Sequence, residues 1–172
     1  MPIAVIDADR RLLQHALAAI AYRVQKAVTG APESFADFRA GAGVRTPHQL
    51  LRHMSDVLGY ARMTFSGGRW RAHTLPTFED EVKRLHEQLK LLGQAIAIEE
   101  FTEFSPDQLL QGPIADTMTH VGQLAMLRRL SGSPIPPENF IVADIETDNV
   151  GADQASPTSA DHDWFAAEDE PW

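Results

Sequence analysis

Four stretches of this chain repeat apolar residues at steps of three and four, the spacing of amphipathic α-helices. End signals accompany the pattern, as where Thr46 and Pro47 begin the second stretch and Gly67-Gly68 ends it. Gly112-Pro113 is interpreted as a break between a short helical turn and the main fourth helix. The predicted helices cover about 7–29, 47–66, 77–103 and 113–131, with the short turn over 105–111.

Four long helices without a strand or hairpin pattern predict an all-α protein, a four-helix bundle over residues 1–145. The loop over 30–45 is long enough to cross the bundle, so an up-down-up-down order is not required. Residues 146–172 contain acids but no lysine or arginine, and we expect an irregular acidic tail there.

Composition excludes several classes of protein. The chain has 15 Lys and Arg against 24 Asp and Glu, a net charge of -9, which argues against nucleic-acid binding. No apolar run is long enough for a membrane span and no signal peptide is recognisable, so we expect a cytoplasmic protein that does not bind membranes. With no cysteine, any metal must be held by His, Asp, Glu and water.

A polar stripe on the fourth helix is the most informative feature for function. Asp116, His120 and Gln123 follow one another at helical steps, and Leu127 and Leu130 continue the same face. A face that becomes apolar is expected to point into the bundle, where an unpaired carboxylate or imidazole is costly. A metal ion is one partner that offsets this cost; a solvated pair or a hydrogen-bonded core histidine are the alternatives.

His53 on the second helix supplies a third candidate ligand. It lies at the edge of that helix's apolar stripe, so it can meet Asp116 and His120 across the bundle. Three ligands leave coordination positions open for water or substrate, as catalytic metal sites do. Asp56, one turn after His53, is either a hydrogen-bond partner of a ligand imidazole or a surface residue, and Gln123 lines the site or bonds across helices.

Other polar residues are given simpler roles. His86 lies among polar neighbours and is expected to be solvated, and Arg128 and Arg129 suit the negative end of the helix dipole. The loop that contains Trp70 and Arg71 is expected either to rim a pocket or simply to pack.

Two segments carry a family resemblance. The segment THVGQLAMLRRLSG, preceded by LLQGPIADTM, resembles the closing helix of the DinB/YfiT-like superfamily of metal-dependent four-helix-bundle enzymes. TPHQLLRHMSDVLGYA resembles the second helix of that superfamily, which contributes a single histidine ligand. The resemblance covers about residues 8–140 and extends to the order of the elements.

The resemblance implies a metal site at His53, Asp116 and His120, an up-up-down-down bundle and a homodimer. Asp116 departs from the family, which has a histidine at that position; the site then either binds metal as a two-His-one-Asp set or has lost its metal. Zinc, nickel, iron and manganese all suit such ligands. The implied activity is metal-dependent hydrolysis or thiol-dependent transfer on a small molecule, with a low-molecular-weight thiol as cofactor; the alternative is a metal- or ligand-binding bundle, or dimerisation module, without turnover.

Overall fold

The structure is a computed structural model that describes residues 8–159. Its long helices are α1 (Ala8–Val28), α2 (Pro47–Ser66), α3 (Phe78–Ile98) and α5 (Ala115–Leu130). A short helix, α4 (Pro106–Leu109), and a π-helical turn (Leu110–Ile114) lead directly into α5. Within residues 8–159 there is no strand, and the predicted all-α four-helix bundle is confirmed.

Local capping explains where the helices begin. Thr46 and Gln49 form a reciprocal capping box at the start of α2, and Pro47 occupies the first helical position. Thr77 caps α3 by accepting the backbone N–H of Asp80, 3.1 Å away. These starts agree with the sequence analysis.

The end of α3 and the start of the last helix differ from the prediction. α3 ends at Ile98 rather than near 103, because Arg10 of α1 donates to the carbonyls of Ile96 and Glu99 at the helix end. Gly112-Pro113 is not a break: the wider π turn accommodates Pro113, whose missing N–H and bulky ring would disrupt an α-helical turn. The helical path therefore continues from α4 through α5.

The core lies between the four long helices. Buried leucine, isoleucine, valine and alanine side chains from each helix meet there, together with Phe35 from the turn after α1. The largest fully buried side chains of the long helices are Tyr22, Leu13, Leu17, Ile20, Leu50, Leu51, Met54, Leu58, Leu85, Leu89 and Leu92. Their burial removes a continuous apolar surface from water and holds the helix faces in register.

Two contacts fix the direction of α1 relative to its neighbours. Arg128, near the end of α5, donates to the Ala27 carbonyl at 2.8 Å, so α1 and α5 end side by side and run parallel. Arg10, at the start of α1, donates to the Glu99 carbonyl just after α3, so α1 and α3 run antiparallel.

Between α2 and α3, the chain returns to the end of the bundle at which α2 begins. Residues 67–77, here termed the crossover segment, run back along α2: Ala72 N–H donates to Asp56, Arg52 donates to Thr74, and His48 contacts the Leu75 carbonyl at 3.1 Å. The 20 residues of α2 span about 30 Å, a distance that eleven extended residues can cover. α2 and α3 therefore start at the same end.

The resulting chain order is up-down-down-up, which corrects the up-up-down-down order implied by the family resemblance. The loop over 30–45 does not cross the bundle, since His48 N–H donates to the Ala36 carbonyl and α2 begins close to the end of α1. The crossing connection is the crossover segment instead. Its polar anchors on α2, together with the Leu75 N–H bond to Glu81 of α3, hold it along the bundle.

Residues 133–159 lie along α1 and α3. Glu138 accepts from the Tyr22 hydroxyl at 2.6 Å and pairs with Lys26 at 2.7 Å. The Val150 carbonyl lies 2.8 Å from Nδ1 of His86, which is buried rather than solvated as predicted, because this segment covers it. Residues 160–172 of the predicted tail and residues 1–7 lie outside the described part of the chain.

None of the helices within residues 8–159 combines the length and apolar character needed to cross a membrane.

Candidate metal centre

The three predicted ligands lie together between α2 and α5. His53 comes from α2, while Asp116 and His120 are one turn apart on α5. One ligand atom from each residue can be chosen so that all three lie within 4.8 Å of one another. Two helices thus supply a His-Asp-His cluster, the type of ligand set that bundle proteins use for divalent metals.

The distance between the ligand atoms of His120 and Asp116 suits a shared metal ion. Nε2 of His120 is 3.5 Å from Oδ1 of Asp116. Two ligand atoms bound at usual lengths to one tetrahedral ion are about 3.4 Å apart. The His53 and His120 rings meet edge to face with centroids 4.8 Å apart.

Gln123 sets the tautomer of His120. Its Oε1 lies 3.0 Å from Nδ1 of His120, one turn along α5. An amide oxygen accepts hydrogen bonds only, so Nδ1 carries the proton and the lone pair of Nε2 faces Asp116 and His53. Ligand histidines are commonly held in this way by a partner on their other nitrogen.

Burial and charge favour the neutral imidazole of His53. His120 is 8% exposed, His53 is half-buried and Asp116 is exposed. Burial lowers the pKa of His53, and the nearby positive charge of Arg45 lowers it further, while Asp116 and Asp56 oppose the shift. The neutral ring is the form that binds a metal.

Asp56 has a role that the sequence did not indicate. Its Oδ1 accepts the backbone N–H of Ala72, so it anchors the crossover segment to the middle of α2. The same carboxylate is close enough to His53 to act on its pKa. Asp56 therefore joins the neighbourhood of the cluster to the loop beside it.

The polar stripe of α5 does not face inward along its whole length. His120 and Leu127 are buried, but Asp116 and Gln123 are exposed and Leu130 is 56% exposed. The stripe lies at the edge of the buried face, and a seven-residue repeat drifts by about 20° around an α-helix, which carries Leu130 away from the core. The expectation of an entirely inward face was wrong, although His120 is buried.

A cavity of about 630 Å³ adjoins the cluster and shares Asp116 with it. Its other walls come from α2, the crossover segment and the π-helical turn: Asp56, Val57, Tyr60, Trp70, Arg71, Gln111, Gly112 and Pro113. The volume suits a small organic molecule.

Two of these walls were not part of the predicted site. Gly112-Pro113 in the π turn was interpreted as a helix break, and Tyr60 was given no role. The loop with Trp70 and Arg71 was considered as a pocket rim, and both residues do line the cavity. Gly59 permits this placement, because a Cβ at that position would clash with the Trp70 indole ring.

The fold and the cluster together define the class of this protein as an all-α four-helix bundle with a candidate His-Asp-His metal centre. The chain matches no family model, and neither curated proteins nor solved structures give a significant match.

Proposed function

We propose that His53, Asp116 and His120 bind one divalent transition metal ion, and that the protein uses it to act on a small molecule. The convergence of three ligand atoms within 4.8 Å of one another, from helices far apart in the sequence, carries this proposal. Zinc, nickel, iron and manganese are the candidate ions for two imidazoles and one carboxylate.

The arrangement around the cluster favours a catalytic over a purely structural metal. Structural sites usually close the coordination shell with four protein ligands, whereas three leave positions for water or substrate. The cavity that borders Asp116 gives a small molecule access to such a position. A bound divalent ion would supply a Lewis acid that makes a coordinated water or thiol more acidic.

The protein groups then have separate tasks. His53 and His120 would hold the ion as neutral ligands, and Gln123 would keep Nε2 of His120 free of a proton. Asp116 would contribute a negative charge, so water at this site is expected to be less acidic than at a site with three imidazoles. The two candidate reactions are hydrolysis and transfer of a low-molecular-weight thiol to an electrophile, and the segments resembling the DinB/YfiT-like superfamily support the second.

The alternative is a bundle that binds metal or ligand without turnover. The exposed position of Asp116 favours this alternative over a catalytic centre, since exposed carboxylates are common in proteins that hold no metal. A homodimer completes the proposal and rests on the family resemblance alone.

Metal analysis provides the first test. Protein expressed without a histidine tag, then dialysed against each candidate ion, is expected to retain close to one equivalent of a transition metal. His53→Ala should lose it, while His73→Ala, which removes an exposed histidine of the crossover segment, should keep it. Equal, trace metal in all three proteins would contradict the proposal.

A second measurement separates an enzyme from a binder. Metal-loaded protein is incubated with an electrophile and each of several low-molecular-weight thiols, and in parallel with ester and amide substrates. Conjugation or hydrolysis that disappears in His53→Ala supports an enzyme. Stoichiometric metal with no turnover in either assay supports the metal-binding bundle.

A further inference from the structure

Arg71 is the one basic residue among the residues that line the cavity beside the cluster. Within residues 8–159 its guanidinium makes no hydrogen bond or ion pair. Arginine is weakly hydrated and presents several donors in a plane that matches a carboxylate or phosphate. An arginine without a protein partner in the wall of a cavity is therefore available to a ligand.

The backbone of Arg71, whose side chain is exposed, is held from both sides. The next residue, Ala72, is buried and its N–H is held by Asp56 on α2. The preceding residue, Trp70, packs against Gly59 of α2, where only a glycine leaves room for the indole ring. The backbone at Arg71 is thus tied to α2 at both neighbours, so a ligand that binds its side chain does not have to order the backbone first.

With the proposed metal ion bound, the site would have a net positive charge, although the whole chain has a net charge of -9. A divalent ion with Asp116 and two neutral imidazoles retains one net positive charge. Arg71 adds another, and Arg45 lies close enough to His53 to influence its pKa. Against these stands Asp56, whose Oδ1 is already engaged by Ala72 N–H. The cavity therefore favours an anion once a metal is bound.

The remaining walls are mainly apolar. Hydrocarbon and aromatic surface comes from Val57, Tyr60, Trp70 and Pro113. The guanidinium carbon of Arg62 lies over the Trp70 ring, 5.3 Å from its centroid. Such walls bind the body of an organic molecule by removing apolar surface from water. One charged donor among apolar walls fixes the orientation of a ligand.

We infer that the cavity accepts small organic anions, with the anionic group held by Arg71 and a second polar group directed at the metal centre. This inference rests on the proposed function, because the second contact requires the metal. Arg71 is then a specificity-determining residue, and Asp56 is the positioning residue that holds the crossover segment in place. Neutral molecules of the same shape bind less well.

The test uses chelators that anchor themselves on the metal. A short series of aliphatic hydroxamates of increasing length, each ending in a carboxylate, is compared with matched compounds that end in a carboxamide. Binding to the metal-loaded protein is measured by calorimetry. At the best length, the carboxylate is expected to bind about tenfold more tightly than the carboxamide, the size of one charge-assisted hydrogen bond.

Arg71→Gln should remove this preference, because it weakens carboxylate binding more than carboxamide binding. Arg69→Gln is the matched control, since Arg69 is exposed on the same segment but does not line the cavity.

The outcomes distinguish the inference from the function on which it rests. If wild-type protein takes up no metal and no hydroxamate, the proposed function fails. If it takes up both but binds carboxylate and carboxamide equally at every length, the inference alone is overturned. A carboxylate preference that survives Arg71→Gln would also overturn it.

Discussion

Nδ1 of His120 lies 3.0 Å from Oε1 of Gln123, one turn further along α5. The hydrogen bond orients the ring and reserves Nε2 for the side of the cluster where Asp116 and His53 lie. Gln123 is exposed, so its replacement should change the free energy of unfolding little. A change in metal affinity in such a variant therefore reports on the metal centre.

Gln123→Ala is therefore expected to weaken metal binding by about tenfold or more, the usual effect of removing a partner of a ligand histidine. Competition with a fluorescent chelator measures the affinity. Met126→Ala, which removes an exposed side chain on the next turn of α5, is the control and should bind like wild type. Unchanged affinity in Gln123→Ala would mean that the bond does not serve the metal.

Asp116 distinguishes this site from one with three histidines. Asp116→His is expected to retain metal, since imidazole is an equally good ligand, whereas Asp116→Ala should lower affinity by at least about tenfold. Elemental analysis after dialysis compares the two variants. Retention of metal by Asp116→Ala at the wild-type level would remove Asp116 from the ligand set.

Gly59 offers a test of how the cavity wall is packed. A Cβ at Gly59 would clash with the Trp70 ring, so Gly59→Ala must displace the indole and is expected to cost about 1–3 kcal/mol of unfolding free energy. Gly122→Ala is the matched control, because α5 is open there and the helix should gain about 0.5–1 kcal/mol. Urea unfolding of both variants measures the difference. A stabilised Gly59→Ala would contradict the packing described.

Arg128 is expected to contribute to the bundle rather than to the helix dipole alone. It is 3% exposed and donates to the carbonyls of Ala27, Thr29 and Ser133 at distances of 2.8 to 3.1 Å. Arg128→Ala leaves these carbonyls without their donor and should cost about 2–4 kcal/mol. Arg129→Ala, at an exposed position, should cost less than about 1 kcal/mol. Equal costs in chemical denaturation would exclude the buried role.

His86 is expected to make the stability of the protein depend on pH. Burial lowers its pKa in the folded state, although its bond to the Val150 carbonyl opposes the shift. The unfolded chain, with a histidine pKa of about 6.5, binds the proton more tightly, so stability falls as the pH drops through that value. His86→Asn keeps a donor near Nδ1 but cannot be protonated.

We expect the urea midpoint of wild type to fall between pH 7.5 and 5.5 by more than that of His86→Asn, with a maximum slope from this residue of about 1.4 kcal/mol per pH unit. His73→Asn, at an exposed position, should follow wild type. Parallel curves for wild type and His86→Asn would show that His86 is not protonated more readily on unfolding.

The sequence predicted the features that depend on neighbouring residues. The starts of α2 and α3 follow from Thr46 with Pro47 and from Thr77, because a cap and its bonded N–H are three residues apart. The π turn could not be predicted, since Gly112-Pro113 favours a break in any isolated helix.

Long-range features were less accessible. Nothing near residue 72 indicates that Asp56 would accept its N–H, so neither the crossover segment nor the helix order could be derived. The buried Glu81, which bonds Leu75 N–H and pairs with Arg84, resembled an ordinary acidic first turn of a helix. The grouping of His53 with Asp116 and His120 was accessible because helical periodicity suggested that the three residues could meet, and the family resemblance selected them as one set.

The metal ligands and part of the cavity wall belong to different structural elements, so their sequences can change independently. The three candidate ligands belong to helices whose spacing is set by the core, while Trp70 and Arg71 belong to a loop held by a few polar contacts with α2 and α3. Substitutions in the loop can reshape the cavity without moving the ligand atoms. Among related chains, the sequence differences that change which molecule is accepted are therefore expected to lie mainly in the crossover segment. The helices that carry the cluster are expected to stay unchanged.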